Sequence, residues 1–305
     1  MSSTPLVVGV DVGSQGTCAQ ALEPDGTLVF STSAPHALSY PNPGWAEQDP
    51  GEWTRALVKV LSALREATAG REIVALSFGS QLDGIVAARE DGDPLRPALI
   101  WCDRRAGAEC EEVAARVDLE RLRELTGCNL DPGHGAAKIA WLAAHEPDVA
   151  DAAFVYAPPG SWVAWQASGR LAVDPSNGSS VAVLDPRAHV WSEEACDAYG
   201  VDVSRLPEVL PAHAVLGPVQ PWLCEATGLD AATVVALGAG DEMAATLGAG
   251  VVEPGSVCDV LGTAEPVCAV VGEPAFDPTG VVELHPHADP ETWLLENPGW
   301  LSGGA

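Results

Sequence analysis

Apolar residues recur along the chain in short, β-branched runs that stop abruptly at small and polar residues, and the first run sets the theme. Leu6-Val7-Val8-Gly9-Val10 leads into Asp11-Val12-Gly13-Ser14-Gln15-Gly16-Thr17. The run is continuous rather than alternating, which predicts a strand buried on both faces. Residues 17–22 and 27–33, separated by Pro24-Asp25-Gly26, predict two more strands and a three-stranded meander. Helical spacing takes over after Asp49-Pro50: Trp53, Leu57, Val60, Leu61 and Leu64 share one face, with Asp49 as N-cap and Pro50 at the first helical position. Further strands are predicted at 72–78, 85–88, 99–101, 153–157, 233–237, 256–261 and 267–271. Helices are predicted at 108–117, 119–125, 136–145 and 160–167, and from Asp241 onward. The polar stretch Asp174-Pro175-Ser176-Asn177-Gly178-Ser179-Ser180 reads as a connector in preference to a ligand-facing turn, and residues 206–221 read as proline-rich and irregular.

Several strands end in residues able to do chemistry. Residues 72–78 run into Gly79-Ser80-Gln81-Leu82-Asp83-Gly84, the strand at 99–101 into Cys102-Asp103-Arg104-Arg105, the strand at 233–237 into Gly238-Ala239-Gly240-Asp241-Glu242, and the strand at 256–261 into Gly262-Thr263. Carboxyl ends of strands are where open α/β sheets bind ligands. In the opening turn, Gly13 and Gly16 permit a tight bend whose N–H groups converge on an anion, Ser14 and Thr17 add hydroxyls, and Asp11 is placed to hold a hydrated Mg²⁺. The same residues also suit an ordinary hairpin whose aspartate caps the turn. Asp241 suits a helix N-cap, where the positive helix end favours an ionised carboxylate. Lys138, in a helix beside Trp141, reads as a surface side chain.

The 305-residue length gives a prior of about two domains. A formal charge of −28 with only two lysines, Lys59 and Lys138, argues against nucleic acid and against an anionic membrane surface as partners. The eight cysteines form no C-x-x-C pair and read as buried thiols in a reducing, cytoplasmic setting. The N-terminus lacks the pattern of a secretory signal, and no apolar run approaches the roughly 20 residues that span a bilayer.

Taken in order, Gly9-Val10-Asp11-Val12-Gly13-Ser14, Trp45-Ala46-Glu47-Gln48-Asp49-Pro50, Gln81-Leu82-Asp83-Gly84, Trp101-Cys102-Asp103-Arg104-Arg105, Lys138-Ile139-Ala140-Trp141-Leu142, Gly240-Asp241 with Ala244, Ala245 and Gly248, and Leu261-Gly262-Thr263 resemble the motifs of the FGGY carbohydrate kinases, most closely the xylulokinase-like branch. The resemblance implies an α/β, ribonuclease-H-like N-terminal domain of the actin and sugar-kinase superfamily plus the beginning of a second, similar domain. The expected division is a sugar-binding unit at 1–238 and an incomplete start of a nucleotide-binding unit at 239–305. It further implies ATP-dependent phosphorylation of a ketose or polyol hydroxyl with Mg²⁺, and a homodimer by family precedent. Asp241 matches the family's catalytic base, and Asp11 its Mg²⁺-associated aspartate. Gln81, Leu82, Asp83, Asp103 and Glu242 match or adjoin the substrate-facing positions. Gly13, Ser14, Gln15, Gly16, Thr17, Gly262 and Thr263 match the phosphate-facing ones. Two departures bear on the acceptor: Asp83 and Glu242 stand where xylulokinases usually carry His and Asn. Members of the family are longer, so the chain is expected to be a fragment or a product inactive by itself, with the apolar strands at 257–271 lacking partners. The competing expectations are a catalytically inactive sugar-binding fragment and an actin-like ATPase.

Overall fold

The computed structural model describes residues 4–68, 70–260 and 265–300. Its centre is a six-stranded sheet in the order Val215–Pro218, Val234–Gly240, Ile73–Ser80, Leu6–Val12, Gly16–Leu22, Leu28–Pro35. The last three are the expected antiparallel meander. The middle three run parallel, with Val12 paired to Ser80 and Ser80 to Gly240, so all three carboxyl ends finish level with one another. Gly238 makes that register possible. At φ +95° it sits where the pairing shifts by a residue, and a Cβ there would lie 1.8 Å from the Phe78 carbonyl oxygen. Residues 206–221 are more ordered than expected, since Val215–Pro218 forms the sheet's antiparallel edge.

The first strand is not buried on both faces. Leu6, Val8, Val10 and Val12 point into the core, whereas Gly9 and Asp11 are exposed on the other side. A continuous apolar run therefore misleads here, because Val7 is itself 37% exposed. The covered face packs against the helix Pro50–Ala67, whose N-cap Asp49 accepts from the Gly51 N–H at 2.9 Å and whose Trp53, Leu57, Val60, Leu61 and Leu64 are all buried. Each such side chain contributes about 1.5–3 kcal/mol through burial. The helix Pro159–Ser168 lies alongside, with Trp162 meeting Trp53 edge-on at 6.1 Å.

A second core unites the helices Gly107–Ala114, Leu119–Thr126 and Gly135–His145 with Tyr156, Val181, Val183 and Tyr199. Beyond the helix Asp241–Gly248, four antiparallel strands follow in the order Val257–Asp259, Glu265–Val271, Trp293–Trp300, Glu283–Pro286. The strands at 257–271 thus do have partners, contrary to expectation, because the chain returns at 283–300 to pair with them. This sheet packs on Ala239 and Met243 through Cys268, Val270 and Leu294. Its Glu283–Pro286 edge is buried against the first unit, where the Leu284 N–H donates to the Gly127 carbonyl at 3.0 Å. Among the described residues no strand pairs with the other edge, and Val257 is 59% exposed.

Candidate active site

Because the three parallel strands end level, the residues that follow them stand side by side at one cavity of about 830 Å³. Asp11, Gly13 and Ser14 come from the first strand end, Gln81, Leu82 and Asp83 from the second, and Asp241 and Glu242 from the third; all line it. His134, Ser180, Glu283, His285 and Glu296 complete the deeper wall.

The turn after the first strand closes with the Gly13 N–H donating to the Gly16 carbonyl at 3.1 Å. Ser14 is held from two sides: Trp101 Nε1 donates to its hydroxyl at 2.7 Å, and Gln48 Nε2 donates to its carbonyl at 2.6 Å. Gln48 Oε1 accepts from Gln81 Nε2 at 2.7 Å and from Trp53 Nε1 at 3.2 Å. Gln81 is thereby clamped on its amide side, while its buried Oε1 has no hydrogen-bond partner among the described residues. Gln15 is exposed and does not line the cavity. Thr17 does not reach it either: the side chain is fully buried on the core side of its strand, so it is no phosphate ligand. Gly262 and Thr263 lie outside the described residues.

Asp83 has φ +60°, which non-glycine residues seldom adopt. Three contacts impose it: the Asp83 N–H donates to Ser180 Oγ at 3.1 Å, the Lys138 ammonium donates to the Asp83 carbonyl at 2.7 Å, and His134 Nδ1 meets Asp83 Oδ1 at 3.0 Å. Lys138 is not a surface residue. It is fully buried and donates also to the Gly133 carbonyl, and burial lowers its pKa to about 8, against which Asp83 and Asp103 act. His134 lies between two carboxylates, with its Nε2 3.4 Å from Glu283 Oε1. Burial opposes its charge, but Glu283 and Asp83 outweigh that and hold its pKa well above the ordinary histidine range. Both ring nitrogens then carry protons and donate.

Asp103 does not line the cavity. It is fully buried, accepts from the Ala46 N–H at 2.6 Å and pairs with the Arg105 guanidinium at 2.7 Å. Arg105 in turn stacks 3.8 Å over Trp45 and pairs with Glu47 at 2.8 Å. The substrate-facing expectation for Asp103 is therefore corrected: its acceptor capacity is spent on holding the Trp45–Gln48 segment that supports Gln81. The stretch from Asp174 to Ser180 is likewise no mere connector. Asp174 caps the short helix Pro175–Ser179, Ser176 Oγ accepts from the Gly240 N–H at 2.9 Å, and Ser80 Oγ donates to Asn177 Oδ1 at 3.2 Å. It ties two of the parallel strand ends together beneath the cavity.

Asp241 opens the helix Asp241–Gly248, but the cap position belongs to Gly240, and Asp241 Oδ1 accepts from the Glu242 N–H at 3.0 Å. The helix end does not dominate its titration. Burial, then the charges of Glu242 and Asp11, push its pKa well above the usual carboxylate range. Asp11 stays more open to solvent than Asp241, and partial desolvation of its carboxyl in the cavity wall raises its pKa as well. Glu242 and Glu296 bring carboxyl oxygens within 4.8 Å of one another, and burial raises the pKa of both, the Glu242 charge adding to the shift of Glu296. Asp11 and Asp241 both line the cavity, and carboxylate oxygens are donors that a hard divalent cation takes.

His134, Glu283, His285 and Glu296 escaped sequence reading. Their only signal is polar residues breaking apolar runs, as in Val281-Val282-Glu283-Leu284-His285 and Leu294-Leu295-Glu296. Nothing local says that such residues meet a cavity more than forty positions upstream.

The chain matches the model of the FGGY family of carbohydrate kinases, N-terminal domain, over residues 6–248. It is 29% identical over 290 residues to a xylulose kinase of Escherichia coli (strain K12), covering 95% of this chain and 59% of that protein. Among solved structures, a xyloylose kinase from Brucella ovis superposes with a TM-score of 0.91 at 29% identity over 97% of this chain and 61% of that one. A gluconate kinase from Lactobacillus acidophilus gives 0.91 at 24% identity over the same shares, a likeness of fold. The chain spans about three fifths of the length of the relatives it matches. With these motifs on this fold, the chain belongs to the FGGY family of carbohydrate kinases.

Proposed function

We propose that the chain carries the acceptor side of an ATP-dependent carbohydrate kinase that moves a γ-phosphoryl group onto a hydroxyl of a ketose or polyol resembling xylulose. One observation carries the reading: three parallel strands end in register and set Asp11, Gln81 and Asp241 around a single cavity. Phosphoryl transfer asks mainly for a positioned nucleophile and for neutralised charge. Asp241 is the base that takes the acceptor's proton as the hydroxyl attacks, and its raised pKa supports that role. Asp11 is assigned to Mg²⁺, which offsets phosphate charge when bound, and the cavity-lining Gly13-Ser14 segment of the turn is assigned to the phosphates. Gln81, Leu82, Asp83 and Glu242 face the acceptor. Residues 1–238 form the acceptor unit, and 239–305 begin the nucleotide unit.

Similarity to proteins named xylulose kinase supports a five-carbon ketose or its polyol. The eight unpaired cysteines support a reducing cytoplasm, and the charge of −28 supports a small-molecule partner over nucleic acid or membrane. Among the described residues no helix is long and apolar enough to cross a membrane. A homodimer remains part of the proposal.

The deciding experiment measures ADP release from Mg-ATP with a panel of ketoses and polyols, alongside calorimetric titration of each ligand. The expected result is acceptor-dependent ADP, lowered about 100- to 10,000-fold by Asp241→Asn. ATP consumption indifferent to every acceptor would replace the kinase reading with that of an ATPase. Acceptor heat without nucleotide heat would reduce the chain to a sugar-binding unit.

A further inference from the structure

We propose that Glu296, acting with Glu242, is a specificity-determining residue: the deep wall they form accepts an acceptor whose far end is an uncharged hydroxyl and turns away one that ends in a carboxylate. This rests on the reading of the cavity as the acceptor site.

Glu296 sits on the strand Trp293–Trp300, opposite Glu283 on one neighbour and Cys268 on the other. It is only 7% exposed, yet it lines the cavity, and its Oε2 has no hydrogen-bond partner among the described residues. Glu242 Oε2 is in the same condition. The nearest imidazole nitrogen to Glu296 Oε2 is His285 Nε2 at 4.0 Å, beyond hydrogen-bond reach. Two inward carboxyl groups with unfilled acceptor capacity await a donor from the cavity, since an unmet buried acceptor is costly. A hydroxyl supplies one by donating its proton, whereas a carboxylate has none to donate and can only accept.

Charge points the same way. Seven carboxyl side chains line the cavity, and no lysine or arginine is among its described lining residues. Its two imidazoles are engaged already: His134 bridges Asp83 and Glu283, while His285 Nδ1 meets Ser179 Oγ at 2.8 Å and its Nε2 lies 3.5 Å from Glu283. A ligand carboxylate would meet negative charge with no free cation to pair it, which is how sites reject a wrong partner.

Matched pairs isolate the effect: xylitol against D-xylonate, and D-glucitol against D-gluconate, each pair differing in one CH₂OH or COO⁻ group. Calorimetric titration of the full chain needs no nucleotide and so reads the acceptor site alone. The polyol of the better-fitting pair is expected to bind on the order of 100-fold more tightly than its aldonate. Glu296→Gln should shrink that ratio about tenfold, chiefly by tightening the aldonate, and Glu242→Gln should act in the same direction, with a thermal melt confirming that each variant folds. An aldonate that binds the wild-type chain as tightly as its polyol overturns the proposal and leaves the kinase reading intact. Ratios unmoved by both glutamine variants overturn the assignment to Glu296 and Glu242. Absence of binding by both pairs and by D-xylulose overturns this proposal and the acceptor-site reading together.

Discussion

Asp83 shows how single residues here are held in costly states by their neighbours. Its left-handed backbone costs roughly 1–2 kcal/mol, and Ser180, Lys138 and His134 hold it there. Replacing it by asparagine removes one of the two carboxylates that keep His134 protonated. The His134 pKa is expected to fall in an NMR titration of Asp83→Asn, and an unchanged value would show that Glu283 suffices. Asp241 is costly in the opposite sense, since burial and two carboxylate neighbours oppose its charge. Asp241→Asn should therefore raise the unfolding midpoint, by about 1 kcal/mol of stability, while lowering the acceptor-dependent ADP release proposed above; a paired melt and ADP assay checks both. At this scale Asp11, Gln81 and Asp241 were legible because each ends or follows an apolar run. Lys138 was not, because its helical neighbours suit either an exposed or a buried ammonium, and only the carbonyls of Gly133 and Asp83 decide between them.

The helix Pro50–Ala67 is the element whose sequence and structure agree most closely, since one face carries all its large apolar residues and its start is capped. Leu61→Ala is expected to cost about 2–5 kcal/mol in chemical denaturation. Asp49→Ala should cost about 1 kcal/mol. Strand edges were harder to read. Pairing between Glu265–Val271 and Trp293–Trp300 depends on a return of the chain that no local pattern announces. The opposite edge, at Val257–Asp259, keeps an exposed valine on a ladder that no described strand extends. Val257→Lys should reduce any concentration-dependent association seen by light scattering, without changing the melting temperature appreciably.

Across the whole molecule, a charge of −28 implies self-repulsion that salt screens. The melting temperature is expected to rise between low and moderate NaCl concentrations. The cavity adds a pH term of definite sign. Asp241, Glu242 and Glu296 have folded pKa values raised above their unfolded ones. Their contribution to stability is fully present below the ordinary carboxylate range and is lost as pH rises through the raised values. Urea midpoints measured across that window should fall with rising pH, and Glu296→Gln should flatten the slope. Glu283 opposes the trend: burial alone would raise it, but the charge of His134 holds it well below, so its contribution is present above the ordinary carboxylate range and is lost only in stronger acid.

Periodicity and turn chemistry are local properties, and so the sequence by itself determined the meander, the capped helix, the small-residue turns and the carboxylates that follow strands. Family membership was legible for the same reason, since its motifs are short and contiguous. Depth, pairing and charge state are not local. Only the tertiary structure decided that Asp103 is consumed by Arg105, that Thr17 faces the core, and that Asp174 to Ser180 underpin the cavity. It alone brought Glu283, His285 and Glu296 to the wall facing Asp83 and Glu242. Burial and electrostatic coupling depend on what packs within a few ångströms, and those neighbours come from segments well separated along the chain, 51 residues for Asp83 and His134 and 149 for His134 and Glu283.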